Sequence, residues 1–134
     1  MDTKLEIEII KQFVKPEKRQ RCIEFVSNPK TRSKVFKELR DAAIFDPRYV
    51  TELTGAVRTT DLIVDKYKTL GMGGRVYVMS EHYEWDGNKY QMSYIVGVCL
   101  ATCIDVLGYC WKTKTAFYEW HHSEISYFLK RPTP

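Results

Sequence analysis

Cysteine and histidine side chains offer the most distinctive chemistry in this sequence. Cys99 and Cys103 lie four residues apart, so on a helix they would share one face, and His121 and His122 could complete a set of four zinc ligands. Adjacent histidines on a strand point to opposite faces, however, and the sequence contains no C-x-x-C spacing. We therefore predict no metal and no cofactor, and we interpret the free cysteines as small core residues.

A cysteine–histidine nucleophile is the second option. Cys110 lies on one predicted strand and His121 at the end of the next, so the two could be cross-strand neighbours. A reactive thiol needs a cationic and partly exposed setting. Cys110 is flanked by Tyr109 and Trp111, which indicates packing. Cys110 and His121 remain catalytic candidates, although the sequence leans against an enzyme.

Carboxylates are the third option. Glu81 and Glu119 lie on predicted strands that could be adjacent, and a facing pair could perform acid–base catalysis. Glutamates are also ordinary residents of the solvated face of a sheet. Asp105 lies in an apolar stretch, where a buried aspartate would need a partner. Of these residues Glu119 is kept as a catalytic candidate.

Basic residues concentrate between Lys15 and Lys34, and most of the excess positive charge of the chain lies in its first half. Such clustering can bind a phosphate backbone. Interleaved acids such as Glu17 and Glu24 are more typical of a solvated helix face. Weak nucleic-acid binding therefore stays open, and its anion-binding candidates are Arg19, Arg21 and Arg32.

Aromatic residues dominate the second half of the chain, which contains all three tryptophans. If one face of the sheet were uncovered, these rings would form a surface for a protein partner or a second copy. Tyrosine and tryptophan are enriched at such contacts. We therefore predict an interface that includes Trp111, Tyr118 or Trp120.

The first half of the chain carries helical spacing. Leu5, Ile9 and Phe13 form one stripe, although Leu5, Ile7 and Ile9 also alternate as in a strand, and we favour a helix over 2–14. The other predicted elements are a helix from Pro16, a helix from Asn28-Pro29 to Ala43, a short helical turn from Asp46-Pro47 toward Leu53, and a helix over 60–70 that ends at Gly71.

The second half reads as strands with one helix. Strands are predicted over 75–82, 104–111, 115–121 and 124–130. Met92, Ile95, Val96 and Cys99 follow helical spacing and favour a helix over 90–101 against a hairpin strand. The glycine-rich segment near Gly73 precedes a strand, whereas a phosphate-binding loop follows one.

Several of these patterns resemble a group of small uncharacterised bacterial proteins that has no assigned function. They are an Arg-x-x-x-Phe-x-x-Leu helix (Arg32, Phe36, Leu39), a V-Y-V-M-S-E strand from Val76, Asp86-Gly87 before a helix, an A-F-Y-E strand from Ala116 and a closing Y-F-L-K-R strand from Tyr127. The resemblance spans most of the chain and rests on packing patterns. It implies a helix over 90–101 and no activity.

Together these observations predict one α+β domain over 1–134, in which a mainly helical region (1–70) packs on a largely antiparallel sheet of about four strands (71–131). With 44% hydrophobic and 28% charged residues and a net charge of +4, the composition is that of a globular protein without a membrane span. We expect a cytoplasmic, non-enzymatic interaction or regulatory module. The alternatives are a small enzyme or ligand-binding protein with a pocket between sheet and helices, and a weak nucleic-acid binder.

Overall fold

The structure is a computed structural model that describes residues 1–40, 42–53, 59–120 and 124–131. Within these ranges the chain forms five α-helices and six β-strands. In chain order they are α1 (Thr3–Phe13), α2 (Pro16–Val26), α3 (Lys34–Leu39), a 3₁₀ turn (Pro47–Tyr49), β1 (Val50–Leu53), α4 (Thr60–Thr69), β2 (Arg75–Met79), β3 (Lys89–Gln91), α5 (Met92–Thr102), β4 (Val106–Cys110), β5 (Thr115–Trp120) and β6 (Ile125–Lys130).

The strands form one antiparallel sheet in the order β1-β6-β5-β4-β2-β3. This confirms the predicted α+β class and corrects the strand count from about four to six. The two missed strands are the short edges of the sheet. Val50–Leu53 lies where the sequence predicts a helical turn, and all of Lys89–Gln91 except Lys89 lies at the beginning of the helix predicted over 90–101. Their extended conformation comes from pairing with β6 and β2, which local sequence does not reveal.

One face of the sheet carries α1, α2 and α3. The Asp2 carboxylate caps α1 by accepting a hydrogen bond from the backbone N–H of Leu5 (3.1 Å), and Ile9 and Phe13 are buried, so the helical reading of this segment is confirmed. The core on this face is completed by alternate strand residues, namely Tyr77, Met79, Leu107, Tyr109, Ala116, Tyr118 and Leu129.

The other face of the sheet carries α4 and α5. Thr59 caps α4, and Gly71 follows the helix with a φ of 106°, as expected for a terminating glycine. The predicted helix over 90–101 is confirmed as α5. An uncovered face was the condition for the predicted aromatic surface, and that condition is not met here, because α4 and α5 together cover this face with a second core cluster.

The region around α3 departs most from the sequence prediction. A helix was expected from Asn28-Pro29 to Ala43, whereas the described helix covers only Lys34–Leu39, and Asp41 lies outside the described residues. The Asn28 side chain accepts a hydrogen bond from the backbone N–H of Lys30 (3.0 Å), which forms a turn where the helix was to begin. This turn directs Arg32 into the interior of the protein.

None of the helices in the described ranges has the length and apolar character needed to cross a bilayer.

Candidate functional site

Arg32 lies in a buried cluster of ionised side chains that we call the ion triad: Arg32, Glu6 and Asp86. Its Nε and Nη2 atoms donate to the two oxygens of Glu6 (2.8 and 2.7 Å), and its two Nη atoms donate to those of Asp86 (2.5 and 2.8 Å). Arg32 is 8% exposed and Glu6 is 0% exposed. The triad joins α1, the α2–α3 connection and the β2–β3 loop.

Neutral donors complete the ion triad. The Tyr77 hydroxyl donates to Glu6 (2.5 Å), and the Ser80 backbone N–H donates to Asp86 (3.1 Å). Burial would lower the pKa of Arg32, but its hydrogen bonds to Asp86 and Glu6 raise that pKa by more, so the guanidinium stays charged. Both forks of the guanidinium are occupied by carboxylates, and we interpret the triad as a structural cluster.

The predicted anion-binding arginines do not share one environment. Arg19 donates from Nε to the carbonyl oxygen of Val14 (2.9 Å). Arg21 is exposed and lies 3.6 Å from Glu38. Arg32 belongs to the ion triad, so the prediction of an anion site that includes it is corrected. Sequence alone could not foresee this, because the acidic partners lie 26 and 54 residues away.

Glu119 is a second buried carboxylate, beneath α4. It accepts hydrogen bonds from the Tyr67 hydroxyl (2.6 Å) and the Ser126 hydroxyl (2.7 Å). The Tyr67 ring is stacked on Phe117, with ring centroids 5.2 Å apart. Burial, followed by the charge of Glu119, raises the pKa of Tyr67 well above its ordinary value. This carboxylate supports the core and does not face an open cleft.

The predicted pairing of Glu81 with Glu119 is wrong. Glu81 lies beyond the end of β2, and β4 separates β2 from β5. Glu119 instead lies opposite Val106 and Ser126 in the register of the sheet.

Cys110 is fully buried, and its thiol donates to the carbonyl oxygen of Gly73 (3.1 Å). Burial raises the pKa of this thiol, while hydrogen bonds, chiefly with the side chain and backbone of Thr113, lower it by more. A thiol without solvent contact cannot attack a substrate, so the nucleophile candidate loses its main requirement. Its suggested partner His121 lies outside the described residues.

The other three cysteines form no disulfide bond. Cys22 and Cys99 are buried as predicted, whereas Cys103 is exposed and ends α5 with a φ of 58°. Assigning Cys103 to the core stripe of α5 was therefore wrong, because the chain turns away from the helix at that residue. No group of candidate metal ligands occurs among the residues described, and His122 is not one of them.

The three residues of the predicted aromatic interface lie at different places on the β4–β5 hairpin. Tyr118 is buried against Phe45, with ring centroids 5.8 Å apart, so it cannot serve as an exposed contact of the folded chain. Trp111 and Trp120 are both half-buried, but Trp111 lies at the hairpin turn and Trp120 at the far end of β5. The three residues therefore do not form one surface.

Trp111 instead forms one wall of a basic groove of about 770 Å³ on the helix α1 side of the protein. We call it the lysine groove. Its charged lining consists of four lysines against two acids, from α1, β3 and the β4–β5 turn: Lys4, Lys11, Lys89, Lys114, Asp2 and Glu8. Leu5, Ile7, Gln12 and Trp111 complete the lining.

Contacts inside the lysine groove engage both of its acids and one of its four lysines. Asp2 caps α1, and Glu8 forms an ion pair with Lys114 instead of the Lys4 four residues earlier. The ammonium of Lys89 lies 4.8 Å from the centroid of the Trp111 ring. The groove therefore presents exposed ammonium groups beside an aromatic face, with its acids already partnered.

The groove continues along the edge of the sheet. An adjoining surface cleft shares Asp2 and Lys89 with it and adds Arg75, whose guanidinium donates to the Lys89 carbonyl oxygen (3.1 Å). Sequence reasoning missed this site because its lysines come from separate segments. The one local signal is the seven-residue spacing of Lys4 and Lys11, which places both on the same side of a helix.

A second cleft, of about 380 Å³, lies at the opposite end of the sheet. Its lining residues are Arg40, Glu81, His82, Cys103, Ile104, Asp105 and Trp120. Arg40 approaches Glu81 at 3.5 Å, so cation and acid largely neutralise each other there. This cleft is smaller, and its lining carries two acids, Glu81 and Asp105, against the single arginine, so it lacks the concentration of cations found in the lysine groove.

Comparisons of the chain with protein-family models, with curated protein sequences and with solved structures found no match.

Proposed function

We propose that this protein is a binding protein whose lysine groove holds a small anionic ligand, such as a phosphate ester. The observation that carries the proposal is the convergence of Lys4, Lys11, Lys89 and Lys114 on one groove from three separate segments. Exposed like charges repel one another, so a fold that gathers them gains from an anion bound among them. Cations beside an aromatic ring make up a binding site more readily than a catalytic one.

The charges set a scale for the affinity. An ammonium about 4 Å from a unit negative charge contributes about 1 kcal/mol in bulk water, and more near a protein surface. The lining carries four lysines against two acids, so its excess is about two positive charges. Two ammonium groups would supply between about 2 kcal/mol in bulk water and about 8 kcal/mol near a protein surface, a range that includes a dissociation constant of about 1 mM. Because the groove is open to solvent, binding should weaken steeply with added salt.

Titration calorimetry with inorganic pyrophosphate tests this proposal. Lys4→Glu combined with Lys89→Glu should abolish measurable binding, because two attractive charges become repulsive. The matched control is Lys37→Glu combined with Lys68→Glu, which makes the same change in net charge at exposed residues outside the groove. The proposal would be refuted if both double variants lost the same affinity for pyrophosphate, or if the unaltered protein did not bind pyrophosphate.

A second candidate function is self-association through α5. This helix, Met92–Thr102, contains no charged residue, although Tyr94 is 52% exposed. Helices on a protein surface usually have a polar outer face. The ring of Tyr94 also lies with those of Trp85 and Tyr90, with centroids 5.7–6.0 Å apart. This surface replaces the predicted contact through Tyr118.

Sedimentation velocity, which reports the oligomeric state, tests this second candidate function. The unaltered protein should form a dimer at tens of micromolar, and Tyr94→Lys should make it monomeric. Tyr83→Lys is the control, because Tyr83 is more exposed still and belongs to no ring cluster among the described contacts. A monomer at high micromolar concentration would rule out self-association.

A cytoplasmic location remains part of the proposal, and it is consistent with four cysteines that form no disulfide bond. Kinship with the group of small uncharacterised bacterial proteins is likewise a proposal, and it rests on the sequence patterns alone.

A further inference from the structure

We propose that the ligand of the lysine groove is a nucleoside phosphate, with its base on Trp111 and its phosphate among the lysines. The inference rests on the proposed function and deepens it, since it names the chemical class of the anion. It is carried by the position of an indole ring inside a basic groove and by the polar groups around that ring.

The Trp111 ring is half-buried, and a lysine ammonium lies over it. Lys89 approaches the ring centroid to 4.8 Å from the short edge strand β3. An exposed contact between an ammonium and an aromatic ring is weaker than the stacking of a nucleobase on such a ring. A base can therefore replace Lys89 on the indole, and the displaced ammonium becomes free to bind the phosphate of the same ligand.

Gln12 supplies a hydrogen-bonding group to the lining of the groove that contains Trp111. Its amide nitrogen donates to the Tyr109 hydroxyl (2.6 Å), and Tyr109 interacts in turn with Glu8. With the amide nitrogen on Tyr109, the carbonyl oxygen is the acceptor that this groove residue has left to offer a ligand. An exocyclic amino group, as on adenine, is a suitable partner for it.

The lysines are spaced for the rest of such a ligand. Lys4 and Lys11 are two turns apart on α1, which corresponds to about 10 Å along the helix axis. Lys114 lies between them in the groove through its ion pair with Glu8. The groove thus offers ammonium groups over a length comparable to that of a nucleotide, with the aromatic ring at one wall.

Two sources share this chemistry: a free mononucleotide and a nucleotide within a single strand of nucleic acid. The full-length protein should be titrated calorimetrically with AMP, ribose 5-phosphate, inorganic pyrophosphate and a single-stranded deoxyadenosine decamer. AMP and ribose 5-phosphate carry the same phosphate group, so their difference reports the base alone. We expect AMP to bind at least about tenfold more tightly, from the energy of stacking.

Trp111→Leu should remove that difference, and its affinity for AMP should fall by a larger factor than its affinity for pyrophosphate. Trp120→Leu is the control, because it deletes an equally half-buried indole at the other end of the sheet. A Gln12→Leu variant should weaken AMP more than ribose 5-phosphate. If the decamer binds more than tenfold tighter than AMP and also depends on Trp111, the nucleoside phosphate is supplied by a strand.

The outcomes separate the two proposals. Equal affinities for AMP and ribose 5-phosphate, with pyrophosphate still bound, would overturn the nucleoside inference and leave the anion-binding function standing. A base preference that persists in Trp111→Leu would overturn it as well. Failure of all four ligands to bind would overturn both.

Discussion

Replacing Arg32 with methionine would leave two carboxylates in the interior without their cation. Glu6 has no exposed surface, and the Asp86 side chain is 8% exposed. Arg32 now supplies four charge-assisted hydrogen bonds to them. Removing one member of a buried ion cluster typically costs about 3–5 kcal/mol, because the remaining charge is uncompensated. We expect a loss near the middle of that range, since Tyr77 and Ser80 still donate to the carboxylates.

A loss of about 4 kcal/mol is a large share of the total stability of a domain, which is about 5–15 kcal/mol. Urea unfolding followed by circular dichroism would measure it, and the melting temperature should fall by at least about 10 °C. The matched control is Arg21→Met. Arg21 also lies 5.4 Å from a phenylalanine ring, as Arg32 does, but its side chain is 61% exposed and its ion pair spans 3.6 Å. That variant should lose at most about 0.5 kcal/mol.

The triple variant Glu6→Gln, Arg32→Met and Asp86→Asn removes all three charges together and should recover much of the lost stability. If Arg32→Met instead loses less than about 1 kcal/mol, or no more than Arg21→Met, the reasoning about the ion triad is wrong.

Three further outcomes are expected. Gly108→Ala should destabilise the protein by about 1–3 kcal/mol in urea unfolding, because an added Cβ would lie 2.4 Å from the Phe117 ring, while Gly73→Ala, with no atom within 4 Å, should be close to neutral. A thiol reagent should modify Cys103 rapidly in the native protein and the other three cysteines only on unfolding; fast reaction of several thiols would contradict the burial of those three. The free energy of unfolding should fall above about pH 10, because burial raises the pKa of three core tyrosines above their ordinary value, so the unfolded chain ionises first. Below pH 10 the full stability should be present, and above it the free energy of unfolding should fall by up to about 1.4 kcal/mol per pH unit for each tyrosine. A free energy that stays constant up to pH 11.5 would contradict the raised pKa values of Tyr67, Tyr77 and Tyr109.

Local signals were sufficient to predict most helices of this fold. Helix α5 is predicted by the spacing of Met92, Ile95, Val96 and Cys99, and all four side chains are buried on one side of it. Helix α4 is followed by Gly71 as predicted, and its N-cap is Thr59, one residue before the Thr60 that the sequence favours for this role. Caps and periodicity act within one or two turns, so they are readable without knowledge of the rest of the chain.

Features that depend on distant residues were missed. The edge strand β1 is extended because it pairs with β6. Val50, for example, lies opposite Leu129, which comes nearly eighty residues later in the chain. Arg32 appeared to belong to a solvated basic face, and only the arrival of Glu6 and Asp86 from other segments buries it. The side of the sheet on which α4 packs is likewise set by the tertiary structure.

In the candidate site, too, residue types could be read from the sequence, whereas their arrangement depends on distant segments. Trp111 was selected from sequence for its residue type, and it does line the groove. Tyr118 was selected on the same ground but faces the core, because alternation along β5 directs it toward Phe45. The groove lysines carry no shared motif, so their convergence emerges only from the packing of α1 beside β3 and the β4–β5 turn.

Backbone amide chemical shifts recorded during a titration with inorganic pyrophosphate would locate the anion on the protein. We expect saturable shifts confined to α1, to β3 around Lys89 and to the turn from Trp111 to Lys114. Shifts centred on the basic residues of α2 and α3, or spread over the surface without saturation, would contradict an anion site in the lysine groove.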